Sequence, residues 1–61
     1  MNQRIASPLV RAINTRNWHV GEAEALEAQG HAIEASRHWG IAGRLNVEIA
    51  RMEREVRRDT V

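Results

Sequence analysis

The sequence predicts a small all-α protein built around a helical hairpin, and three observations support this. Apolar and small residues recur three and four positions apart. Gly30 separates two such patterns, and strong helix formers fill the segment before it. The length of 61 residues allows one domain, 1–61, whose core supplies only about 3–5 kcal/mol without cysteines to form disulfides. We therefore expect a homo-oligomer or an obligate protein partner.

Composition excludes several classes of function. The net charge is +1, and the nine basic residues, all arginine, are interleaved with eight acidic ones. A sequence-independent DNA-binding protein concentrates uncompensated positive charge on one face, so bulk charge does not favour nucleic acid. No apolar run approaches the length of a membrane span or of a secretory signal, which predicts a cytoplasmic protein.

A short N-terminal helix is expected to begin at Ser7-Pro8. Serine can accept a backbone hydrogen bond at a helix start, and proline is tolerated at the first helical position. Asn14, Thr15 and Asn17 have weak helix propensity, which predicts fraying or a bend before Trp18.

The hairpin itself is expected over 19–44. Gly30 should end its first helix, because glycine readily adopts the left-handed conformation found just past a helix end. The second helix then starts at Ala32 and presents one face of small residues and a tryptophan. That face consists of Ala32, Ala35, Ser36, Trp39, Ala42 and Gly43.

A charged C-terminal helix is expected over 45–58, after a break or kink near Gly43 and Asn46. Its apolar residues form a seam that would bind a partner helix or a second copy of the chain, with Arg and Glu flanks setting the register. The seam comprises Leu45, Ile49, Met52 and Val56. Arginines at 37, 44, 51 and 58 would form one solvated, ion-paired stripe on a straight helix.

The spacing of Gly30, Ala35, Trp39 and Ala42 is similar to the second half of a tetratricopeptide unit. In such a unit the small residues admit the neighbouring helix and the aromatic residue fills the gap, so Trp39 is predicted to lie in the core. One unit cannot bury its apolar face alone. Another helix or another subunit must cover it.

Residues 27–39, EAQGHAIEASRHW, followed by Ala42 and an Arg-rich tail, resemble the AraC negative regulator family and its PerC-like relatives. These are short helical proteins encoded on bacterial or phage-derived elements. The resemblance covers about residues 20–58. It implies a negative transcriptional regulator that binds an AraC/XylS-type activator and blocks its dimerisation or its DNA binding.

Trp18 has two interpretations, as a core residue docked on the hairpin or as an exposed anchor for a partner. His31, Glu34 and His38 could share a helix face, but metal sites usually need further ligands and second-shell support, so these are interpreted as surface residues. Neither a metal nor a cofactor is expected.

No arrangement of residues predicts catalysis, since the serines lack a nucleophile elbow and the glycines form no phosphate-binding loop. The leading hypothesis is a protein-binding transcriptional regulator. One alternative is a small DNA-binding factor whose phosphate contacts come from Arg51, Arg54, Arg57 and Arg58. Another is a phage-type adaptor or inhibitor of an unrelated host protein.

Overall fold

The computed structural model describes residues 7–59, which form two antiparallel helices. Helix α1 spans Pro8–Ala28 and helix α2 spans Ala32–Asp59. The all-α hairpin is confirmed, and the described part of the chain contains no strand. Its division differs from the prediction, because two long helices replace the expected N-terminal helix, hairpin and C-terminal helix.

Helix α1 begins as predicted. The Ser7 side chain accepts a hydrogen bond from the backbone N–H of Val10 at 3.2 Å, and Pro8 occupies the first turn. The expected bend before Trp18 is wrong, since α1 continues without interruption. Packing against α2 along the whole length outweighs the weak local propensity of Asn14 and its neighbours.

The turn between the helices is built on Gly30, whose φ is +84°. The Gly30 N–H donates to the carbonyl of Glu27 at 3.0 Å, and the His31 N–H donates to that of Leu26 at 2.8 Å. This pair of bonds is the Schellman arrangement, which satisfies the last carbonyls of a helix through a left-handed residue. The predicted role of Gly30 is confirmed.

Helix α2 has no break near Gly43 and Asn46, so the predicted kink is wrong. Its residues facing α1 follow strict three- and four-residue steps, the pattern of a coiled-coil seam. An uninterrupted seam favours a continuous helix, and the packing offsets the low propensity of two interior glycines. In α2 the seam is Ala35, His38, Ala42, Leu45, Ile49, Met52 and Val56; in α1 it is Leu9, Ala12, Arg16, His19, Ala23 and Leu26.

The core lies between the helices and is made of small residues. Ala23, Ala35 and Ala42 are 0–2% exposed, and Ile49 is 6% exposed. Alanine has no atoms beyond Cβ, so the helices approach closely, as the spacing of Ala35 and Ala42 predicts. Apart from Ile49, the larger apolar side chains of the seam are half-buried or exposed.

The protein is a single layer of helices. It measures 12 Å along its shortest principal axis, and its radius of gyration is 14.5 Å. A compact domain of this length would have a radius of about 10.5 Å. Stable domains usually pack at least two layers around a core, whereas within residues 7–59 no further element covers either face of this hairpin.

Candidate protein-binding face

Two faces of the hairpin are distinguished by the residues that border the seam. In coiled-coil notation, seam residues take positions a and d, and their borders take positions e and g. With Ala42 as position a, the g rows of both helices fall on one side of the hairpin and the e rows on the other. Each side has its own contacts between α1 and α2.

On the first side, His19 and His38 meet across the helices. Their Nδ1 atoms are 2.8 Å apart and their ring centroids 5.0 Å apart. Trp18 makes T-shaped contacts with both rings, with its centroid 4.9 Å from that of His19 and 5.7 Å from that of His38. Because Trp18 contacts His19 on its own helix and His38 on the other, its indole ring is held in place although it remains exposed.

Apolar residues of α2 continue from His38 toward the open end of the hairpin. Leu45 lies seven residues further along and, with Pro8, Arg11, Ala12 and Thr15, lines a shallow hollow on this side. Met52 and Val56 line a second hollow, next to the start of α1. We call this surface the histidine face and define it as Trp18, His38, Ile41, Leu45, Met52 and Val56.

The histidine face contains most of the predicted partner-binding residues. Trp18 is 57% exposed and Val56 is 49% exposed, while Leu45 and Met52 are half-buried. Ile49 differs, since it is buried against α1 and its apolar surface is already used within the hairpin. Ile41, half-buried at a g position, completes the surface although the sequence pattern did not single it out.

The opposite side is closed by polar contacts. The indole N–H of Trp39 donates to Glu27 Oε2 at 2.8 Å, and Arg16 Nη1 donates to Asn46 Oδ1 at 2.6 Å. The prediction that Trp39 lies in the core is wrong, since the residue is 38% exposed. It occupies an e position beside the seam, and the closely packed alanines leave no gap for an indole ring.

The histidines do not form a metal site in the described structure. His31 Nδ1 lies 3.6 Å from Glu34 Oε1, whereas His38 turns toward His19 on the other helix. Within residues 7–59, no group of three potential metal ligands comes together. The spacing of these three residues along the chain therefore does not translate into a shared site.

The arginines of α2 project away from α1. Because α2 is uninterrupted, Arg37, Arg44, Arg51 and Arg58 fall on one exposed stripe at heptad position c, next to the g row. The side chain of Arg51 pairs with Glu48, whose hydrogen bond and charge raise the pKa of the guanidinium above its ordinary value. Ion pairing of this kind is what the interleaved charges predict for a solvated stripe.

Neither described helix is both long enough and apolar enough to cross a membrane.

The described residues form a two-helix hairpin with one apolar face that carries the histidine pair. Comparison of the chain with protein-family models, curated proteins and solved structures finds no match. The resemblance to the AraC negative regulators accordingly stays a prediction based on the residues that carry it.

Proposed function

We propose that this protein is a non-enzymatic regulator that acts by binding another protein through the histidine face. The observation that carries the proposal is the single layer of helices, which leaves this apolar face with no covering element in the described chain. Trp18 stands at its edge, more than half exposed and held by two imidazole rings. Large, orientated aromatic side chains of this kind commonly anchor protein interfaces.

The energetics favour a partner. Three alanines and one isoleucine form the fully buried core, which is little even for a domain of this size. Burying a large apolar side chain contributes about 1.5–3 kcal/mol, so covering Trp18, Leu45 and Met52 would add substantially to a marginal fold. Binding and stabilisation of the hairpin are therefore expected to be linked.

For the identity of the partner, the support is the sequence motif that resembles the AraC negative regulators. On this basis we propose that the partner is an AraC/XylS-type activator in the cytoplasm. The hairpin would cover a helical surface that the activator needs for dimerisation or for contact with DNA. Regulation would then require no DNA contact by the hairpin itself.

A second copy of the chain is the other candidate occupant, because self-association would also give the single layer a second layer. Direct DNA binding has less support. Arg51 is paired with Glu48, and Glu55 lies among Arg51, Arg54, Arg57 and Arg58 in the hollow that these arginines line. Carboxylates at that spacing reduce the attraction of the helix for phosphate.

The experiment is capture of a purified AraC-type activator by the tagged hairpin, with and without nuclease. Val56→Asp places a charge on the histidine face, and Val47→Asp places the same charge on the same helix at a site 68% exposed away from that face. We expect nuclease-resistant capture that Val56→Asp weakens at least tenfold and Val47→Asp leaves unchanged. Equal effects of the two variants, or capture that disappears with nuclease, would contradict the proposal.

A further inference from the structure

The polar contacts on the side opposite the histidine face include one cation without a carboxylate. Arg16 occupies a seam position of α1, and its side chain is half-buried between the helices. Its Nε donates to Asn17 Oδ1 at 2.8 Å and its Nη1 donates to Asn46 Oδ1 at 2.6 Å. Both acceptors are neutral amides, and within residues 7–59 no acidic side chain forms an ion pair with Arg16. The positive charge of Arg16 is therefore not compensated inside the described hairpin.

The two asparagines orient the guanidinium group of Arg16. Asn17 lies on α1 and Asn46 on α2, so the hydrogen bonds hold the group from both helices. A guanidinium carries more N–H donors than these two contacts use. Nη2 makes no hydrogen bond with the described chain and is not buried, so it faces solvent. A donor edge of fixed orientation is thus open to a ligand.

Apolar side chains border this donor edge. Ile13 and Val20, three residues before Arg16 and four after it, are half-buried on the same side of α1. On α2, Gly43 precedes Asn46 by three residues, and the space beside its Cα is open. We call this surface the arginine site and define it as Ile13, Arg16, Asn17, Val20 and Asn46.

A carboxylate suits the arginine site better than a nucleic-acid phosphate does. Nucleic acids are bound through several cations along a strand, whereas this site has one, and Glu53 stands on the same row as Asn46. A carboxylate matches the planar fork of a guanidinium with two hydrogen bonds. Apolar side chains that cover the site would exclude water and strengthen the pair. Trp39, 38% exposed one heptad before Asn46, adds a second residue type that commonly anchors protein interfaces.

We propose that the arginine site is a second protein interface, which binds a helix of a different protein with one glutamate or aspartate in its apolar stripe. The carboxylate would accept hydrogen bonds from Arg16 while its apolar neighbours packed on Ile13 and Val20. A second copy bound about a twofold axis through the site would bring two Arg16 side chains together, and like charges repel. Because the arginine site and the histidine face lie on opposite sides of the seam, the hairpin could join two proteins. This role goes beyond the function proposed above.

Two synthetic helices of about 20 residues test the proposal. They share one leucine stripe and differ in one residue at its centre, which is glutamate in one peptide and glutamine in the other. Binding is followed by the fluorescence of Trp39 in a Trp18→Phe variant, so the signal comes from the side that carries the arginine site. We expect the glutamate peptide to bind about tenfold more tightly or better, the usual effect of a charged hydrogen bond that is removed from water.

Arg16→Gln should remove this preference, since glutamine carries no charge to pair with the carboxylate. The matched control is Arg54→Gln, which removes the same charge from an exposed position on the outer part of α2 and should leave the preference unchanged. Circular dichroism of each variant verifies that the hairpin is intact.

Asn46→Asp separates the binding role of Arg16 from a purely structural one. The substitution keeps the shape of the side chain and gives Arg16 a carboxylate within the hairpin. We expect the preference for the glutamate peptide to disappear, while the hairpin melts at no lower temperature than the unmodified protein. If Arg16 served only to fix the register of the helices, Asn46→Asp would stabilise the hairpin and leave the relative affinity of the peptides unchanged, which would overturn the proposal.

Equal affinity for the two peptides, or binding of neither, would also overturn it. A dimer of the protein that Arg16→Gln dissociates would do the same, because the occupant of the site would then be a second copy. Capture of the activator through the histidine face is a separate measurement. Arg16→Gln should leave that capture unchanged, so either proposal can fail while the other stands.

Discussion

His19 and His38 face each other across the two helices with their Nδ1 atoms 2.8 Å apart, one imidazole donating a proton that the other accepts. Both side chains are half-buried, and both occupy seam positions at which a coiled coil normally places apolar residues. A polar pair within a seam fixes which residues lie opposite each other. This contact therefore sets the register of α1 against α2.

The energetic prediction for this pair compares single and double replacement. His38→Ala should destabilise the hairpin by about 0.5–1.5 kcal/mol, because it removes the hydrogen bond and leaves His19 without its partner. His19→Leu with His38→Leu should be neutral or stabilising, since apolar residues then meet at the seam. Urea denaturation measures both, and a double leucine variant less stable than His38→Ala would contradict the argument.

Close approach of the helices at Ala42 leads to a second prediction. This residue is 2% exposed, so Ala42→Leu must push the helices apart and should destabilise the hairpin by about 1–3 kcal/mol. Ala50→Leu, on the same helix but exposed, is the control and should change stability by less than about 0.5 kcal/mol. Thermal unfolding of the two variants compares them directly, and similar melting temperatures would show that the close approach is not needed.

The arginines of α2 give a third prediction. Arg54 is exposed on the outer part of the helix, so Arg54→Ala should alter stability by less than about 0.5 kcal/mol and leave partner capture unchanged. Arg51→Gln, which removes the ion pair with Glu48, should leave the free energy of unfolding almost unchanged, because exposed ion pairs contribute little to stability. A loss of capture with Arg54→Ala equal to that with Val56→Asp would instead favour the DNA-binding alternative.

Local signals in the sequence predict the helix starts and the turn. Ser7 and Pro8 determine where α1 begins, and Gly30 determines where the chain reverses, because each acts through its own backbone or cap chemistry. The small residues Ala35 and Ala42 likewise predict close helix packing. These features depend on neighbouring residues along the chain and can be recognised without knowing the fold.

Continuity of the helices could not be predicted from propensity alone. Asn14 and Gly43 have weak preferences that packing across the hairpin overrides, and that packing is known only when both helices are seen together. The burial of Ile49 and the exposure of Trp39 likewise depend on how the two helices pack against each other. A seam extended across both helices would have predicted them, since Ile49 occupies an a position and Trp39 an e position.

The last prediction is that replacing glycine by alanine has opposite effects on the stability of the hairpin at two positions. Gly30 has a φ of +84°, a conformation that disfavours any residue with a Cβ, so Gly30→Ala should destabilise the hairpin by about 1 kcal/mol or more. At Gly43 a Cβ would meet nothing within 4 Å and the backbone is helical, so Gly43→Ala should stabilise by about 0.5–1 kcal/mol. Chemical denaturation monitored by helicity measures both changes. If Gly43→Ala destabilised the protein, α2 would have to be broken near this residue, contrary to the continuous helix, whereas stabilisation would agree with an uninterrupted helix at this position.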